Sequence, residues 1–127
     1  MATKAFELEP GEEIIDTWPL TYFPPEEGSY EVRCTVTNKR LLYGGQGMRV
    51  IADLTGLVDL TTGNRDCLVI PKERIRHMET KRSYLEKRVI LTLDNGRKHA
   101  FSYGALNIDR LVEAIALQDG NSLIQNI

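Results

Sequence analysis

A mainly β domain closed by one C-terminal α-helix is the fold class that this sequence predicts, on three observations. Residues 29–37 alternate apolar and polar side chains, with Tyr30, Val32, Cys34 and Val36 set against Glu31, Arg33 and Thr35, the pattern of a half-buried strand. Short β-rich runs recur between turn signals, the clearest being the polar step Thr37-Asn38-Lys39-Arg40 and the pair Asn95-Gly96. Ile108, Leu111, Val112 and Ile115 then fall at i, i+3, i+4 and i+7, which makes one apolar stripe on a helix. About seven strands and a single amphipathic helix describe a strongly bent antiparallel sheet, or a small open barrel, with the helix over its mouth.

The elements follow in order. Pro10-Gly11 marks a turn before a first strand carrying Ile14, Ile15, Trp18, Leu20, Tyr22 and Phe23, in which Pro19 suggests a bend or an edge position. Pro24-Pro25-Glu26-Glu27-Gly28 ends that strand in a stiff acidic loop. The alternating strand 29–37 runs into a hairpin over residues 35–43, where Asn38 tolerates the left-handed angles of a tight turn and Arg40 can keep its stem buried and its head in water. Residues 48–66 are the least regular. Val50, Ile51, Leu54, Leu57 and Val58 fall at helical spacing, although Gly56 weakens a helix and Thr61-Thr62-Gly63-Asn64 reads as a loop. Cys67-Leu68-Val69-Ile70-Pro71 is a short buried strand. Ile75 and Met78 are the apolar points of the next, and residues 81–86 form a polar connection around Tyr84. Residues 88–94 are the clearest strand, Asn95-Gly96 is a hairpin turn in which both residues accept positive φ, and 97–103 returns with Ala100 and Phe101 toward the core. Asn107 suits the N-cap of the closing helix, Asp109 its first turn, and Gly120 its end.

A chain of 127 residues suits one domain, with a core over about 10–117 and a tail over 118–127. Its 16 Lys and Arg against 18 Asp and Glu give a net charge of −2, which gives the whole no general attraction for nucleic acid or anionic lipid. The charges are unevenly spread. Lys4 stands alone against eight acids up to residue 31, whereas residues 72–88 hold seven bases and three acids. Residues 1–6 lack the apolar run of a secretory signal, and nowhere do eighteen apolar residues occur in a row, so a cytoplasmic location is the expectation.

No reactive constellation stands out, and neither enzymatic activity, a cofactor nor a metal is expected. Cys34 and Cys67 lie in apolar β-like runs and read as small buried hydrophobes, with a disulfide or redox role as the alternatives. Gly44, Gly45 and Gly47 match neither nucleotide-binding fingerprint. His77 and His99 belong to no metal-binding spacing, and a surface imidazole is expected for each. Trp18, Tyr22 and Phe23 lack the interleaved bases of a nucleic-acid platform.

Several stretches resemble the pleckstrin-homology-like (PH-like) superfamily, particularly the bacterial PH and GRAM-type domains. They are Gly11-Glu12-Glu13-Ile14-Ile15, the hairpin Thr37-Asn38-Lys39-Arg40-Leu41-Leu42, the step Ile70-Pro71-x-x-x-Ile75, the strand and turn 89–96, and the closing helix. The resemblance implies a module for phosphoinositide or peptide binding, or an assembly unit. Lipid-binding members carry Lys and Arg in and beside the loop after the first strand; here that loop holds Glu26 and Glu27, which repel phosphates.

The leading expectation is therefore a non-catalytic PH-like interaction module that binds a protein partner or itself through strand-edge pairing and apolar contact. Val50, Ile51, Leu54, Leu57 and Val58, with the apolar tail, are the candidates for partner contact. Lys39 and Arg40 are expected to pair with the acidic amino segment. An alternative is a peripheral membrane module that meets anionic lipid through Lys81, Arg82, Lys87 and Arg88 and nearby apolar loop residues. A third is an enzyme or small-ligand carrier, whose mark would be a deep pocket with convergent polar groups.

Overall fold

Strand β1 (Ile14–Phe23) is shared by both halves of a single antiparallel sheet, and its ten residues set the bend. The protein is represented by a computed structural model, which describes residues 8–25, 28–44, 58–59 and 64–117. Strands β2 (Tyr30–Thr37), β3 (Arg40–Gly44), β4 (Val58–Asp59), β5 (Asn64–Pro71), β6 (Ile75–Arg82), β7 (Lys87–Leu93) and β8 (Lys98–Ser102) complete the sheet, in the order β4-β5-β3-β2-β1-β8-β7-β6. Seven of the strands have five residues or more, and β4 has two. Among the described residues β4 and β6 end the sheet without pairing to each other, so the barrel is open. Helix α1 (Asp109–Ala116) packs Leu111, Val112 and Ile115, with Ile108 before it, into the core. Burying each such side chain contributes roughly 1.5–3 kcal/mol. This is the mainly β class expected of a PH-like bent sheet capped by a helix.

β1 pairs with β2 from Ile14 to Tyr22, but with β8 only from Thr21 to Phe23. Pro19 therefore lies where β1 has a strand on one side only, and its missing N–H costs the sheet nothing. A register shift between Ile14 and Asp16 turns the start of β1 outward and leaves Ile14 51% and Ile15 37% exposed. A second shift, between Ile75 and His77, explains why Ile75 and Met78, three apart, both face the core.

Several local expectations change. The β2–β3 turn is not closed by a left-handed Asn38, since every positive φ among the described residues belongs to glycine. Thr37 Oγ1 instead accepts the N–H groups of Lys39 and Arg40, both at 3.0 Å, and donates to Glu12 Oε2 at 2.6 Å. In the β7–β8 turn only Gly96 has positive φ, at 82°, and its N–H bonds Leu93 O. That is the three-residue loop with a glycine bulge, not a turn with two left-handed residues. Val58 and Asn64 belong to strands rather than to a helix and a loop, because β4 folds back on β5 and pairs Val58 with Leu68. Asn107 sits one residue before the cap position, and its Oδ1 accepts the Asp109 N–H at 2.7 Å. The helix ends at Ala116, ahead of Gly120, and Gly120 lies outside the described residues.

Candidate interaction site

The singly paired half of β1 and one side of α1 enclose a concavity. It is a groove of about 280 Å³ lined by Ile15, Asp16 and Trp18 of β1, by Arg110, Glu113 and Ala114 of α1, and by Leu117. Trp18 and Ala114 are buried beneath it, whereas Leu117 is half-exposed beside the outward-turned Ile15. Apolar surface thus meets a rim carrying both charge signs. The backbone of β1 over residues 14–20 has no strand on the side away from β2 among the described residues.

Two basic side chains are buried in the fold. Lys72, 1% exposed, follows β5 in a 3₁₀ turn (Lys72–Arg74) and sends its ammonium under the last turn of α1. Nζ donates to Ala114 O at 2.6 Å and also to Leu117 O. Burial pushes its pKa down to about 8, so the group remains a cation at neutral pH, where the carbonyl end of a helix favours one. Replacing Lys72 by methionine keeps the stem but strands both carbonyls. The expected loss is about 1–3 kcal/mol in urea unfolding, and a change below about 0.5 kcal/mol would show that the cap is dispensable.

Arg40 is the second. Its Nε and one terminal nitrogen donate to the two oxygens of Glu12 at 2.8 and 3.1 Å, and the side chains of Arg40 and Glu12 are only 6% and 0% exposed. The expected pairing with the acidic segment is present, but the guanidinium is buried rather than solvated. Burial by itself would raise the Glu12 pKa; hydrogen bonds from Arg40, Thr37 and the Glu9 N–H outweigh it and hold the carboxyl below its ordinary value.

His99 is buried at 1% exposure, not on the surface, because β8 is an interior strand. Its Nδ1 lies 2.7 Å from the Tyr22 hydroxyl, within a cluster that includes Tyr43 and Phe101. Burial, with the charges of Arg97 and Arg74, pushes the imidazole down to about 4, and burial pushes Tyr22 up to about 12. The bond therefore joins the Tyr22 hydroxyl to a neutral imidazole, whose tautomer sets which of the two donates. His77 is half-buried on β6, and Cys34 is fully buried.

The four cations singled out in the sequence lie on one hairpin. The β6–β7 register places Lys81 opposite Arg88 and Arg82 opposite Lys87. Partners directly opposite share a face and successive residues alternate, so the two pairs stand on opposite faces. Arg82 meets Asp109 at 2.9 Å, Lys87 Nζ reaches Ala105 O at 3.4 Å, and Arg88 bonds Glu86 at 3.0 Å while lying 4.0 Å over the Phe23 ring. The nearby apolar loop residues, which sequence reasoning invoked without showing their exposure, are at the tip. Ser83 closes the turn through Glu86, leaving Tyr84 92% and Leu85 78% exposed. The available signal was an apolar pair between Ser83 and Glu86 in a charged setting. Of the partner-contact candidates, Val50, Ile51, Leu54 and Leu57 lie outside the described residues, and Val58 is on β4.

Among the described residues there is no cluster of three or more metal-ligand side chains, and no helix is long and apolar enough to cross a membrane. Compared with known proteins, the chain matches no protein-family model and no curated protein sequence.

Proposed function

We propose that this protein is a non-catalytic PH-like interaction module that takes up an extended segment of another protein or of a second copy of itself. The observation that carries this reading is the groove beside the singly paired half of β1. A strand edge supplies backbone donors and acceptors at alternate residues, and a flanking apolar wall selects side chains, the two ingredients of strand addition. Trp18 and Ala114 offer the wall, Ile15 and Leu117 the exposed apolar rim, and Asp16, Arg110 and Glu113 the charges that would orient the incoming segment. Pro19 interrupts the donors on this edge, which favours a short added strand. The reading includes a cytoplasmic location, in keeping with a buried thiol at Cys34.

Light scattering over a concentration series, together with retention of the protein on arrays of extended apolar peptides, tests the proposal. The wild-type chain is expected to gain mass with concentration or to be retained by peptides. The Ile15→Asp/Leu117→Asp variant changes two exposed side chains and is expected to weaken either behaviour about tenfold or more. A wild-type chain that stays strictly monomeric and binds no peptide rejects the reading.

A further inference from the structure

We infer that the β6–β7 hairpin is a membrane-docking tip that enters the headgroup region of an anionic bilayer end-on. The tip presents Tyr84 and Leu85, the two most exposed large apolar side chains among the described residues. Leu106, 58% exposed, lies two residues past Gly104 on a neighbouring loop. Its loop is tied to the base of the hairpin, where the Lys87 N–H bonds Gly104 O at 2.6 Å and Lys87 O accepts the Tyr103 N–H at 3.1 Å. The turn is held by reciprocal bonds between Ser83 and Glu86, so these groups are presented without waiting for the loop to order.

The placement of the cations identifies the partner. Residues 81–88 carry four bases and one acid, in a chain whose net charge is −2. A discrete multiply charged ligand needs cations converging on one point, but here Lys81 and Arg88 stand on one face and Arg82 and Lys87 on the other. A belt on both faces of an apolar tip suits a surface that surrounds the hairpin, with anionic headgroups on every side. Tyrosine favours that depth, and each base near an anionic surface adds attraction. The ties to Asp109 and Glu86 join partly exposed side chains and yield easily to lipid phosphates. Arg88 over Phe23 lies at the C-terminal end of β1, whereas Glu12 and Glu13 precede its other end, roughly 30 Å away along a strand of ten residues. Glu12 and Glu13 are thus held away from the tip, and the groove is left open.

Sedimentation of the full chain with phosphatidylcholine vesicles, with and without phosphatidylserine, tests the inference. Binding is expected only with phosphatidylserine, falling steeply with added salt. Tyr84→Ser/Leu85→Ser should weaken it about tenfold or more, and Lys81→Gln about fivefold. Ile15→Asp/Leu117→Asp should leave it unchanged, which separates this tip from the groove. In a Tyr84→Trp/Trp18→Phe chain the single indole should shift to the blue on vesicles and be quenched by brominated lipid tails. Absence of binding at low salt, equal binding by the tip variant, an unshifted indole, or suppression by millimolar inorganic phosphate at constant ionic strength would overturn the inference.

Discussion

Replacing Arg40 by alanine is expected to cost about 3–5 kcal/mol, the usual penalty for breaking a buried ion pair from one side. Glu12 would keep its burial and lose two of its hydrogen bonds, while Thr37, which donates to the same carboxylate, also closes the β2–β3 turn. The damage should therefore spread from the amino segment into the hairpin. Asn38 adds to this coupling, because its side chain bonds Gly11 O and the Glu13 N–H and so ties the same two segments together. Thermal unfolding should fall by roughly 10–20 °C for a chain of this size. Glu12→Leu/Arg40→Met, which removes both charges, should be less damaging than the sum of its single variants. The pH dependence has a defined sign. The folded Glu12 pKa is depressed, so its contribution is complete above the ordinary value of 4.5 and is lost as pH falls through the folded value. An Arg40→Ala protein within about 0.5 kcal/mol of wild type would remove the pair from the account of stability.

Periodicity made the sheet and the helix legible. The alternation of Val32, Cys34 and Val36 and the stripe from Ile108 to Ile115 each report one buried face, and both are buried. Turn chemistry was legible in position but not in kind. A Thr37 hydroxyl and a three-residue glycine loop do the work assigned to left-handed asparagines, because those choices depend on strand register and not on composition. Buried charge was not legible. Lys72, Arg40 and His99 look like ordinary surface residues in the chain, and what buries them comes from 42, 28 and 77 residues away, as helix carbonyls, Glu12 and Tyr22. The candidate groove was invisible for the same reason: it depends on β8 leaving β1 after three paired residues, a topological fact with no local signature. The basic hairpin was found correctly as a segment. Its division between two faces and its bare apolar tip required the register and the turn.

Between pH 6.5 and pH 4 the protein is expected to lose about 3 kcal/mol of stability to His99 alone. The imidazole falls from its ordinary 6.5 to about 4 in the folded state, and each pH unit of such a difference corresponds to about 1.4 kcal/mol. In that window the unfolded chain binds a proton that the folded chain refuses, so stability rises with pH from the folded value to the unfolded one and is complete above it. The structural reason is burial of the ring, to which the charges of Arg97 and Arg74 add. Protonation places a cation against the Tyr22 hydroxyl, within a cluster whose other members, Tyr43 and Phe101, are fully buried. Urea unfolding at pH 7.5 and pH 5 should then differ by about 2 kcal/mol in the wild type. The Tyr22→Phe/His99→Phe variant removes both partners together and leaves no stranded polar atom of the pair, so it should fold and show a much flatter dependence over the same interval. Glu12 acts at lower pH and is not expected to mask the difference. An equally steep loss in the variant would assign the acid sensitivity to groups other than His99.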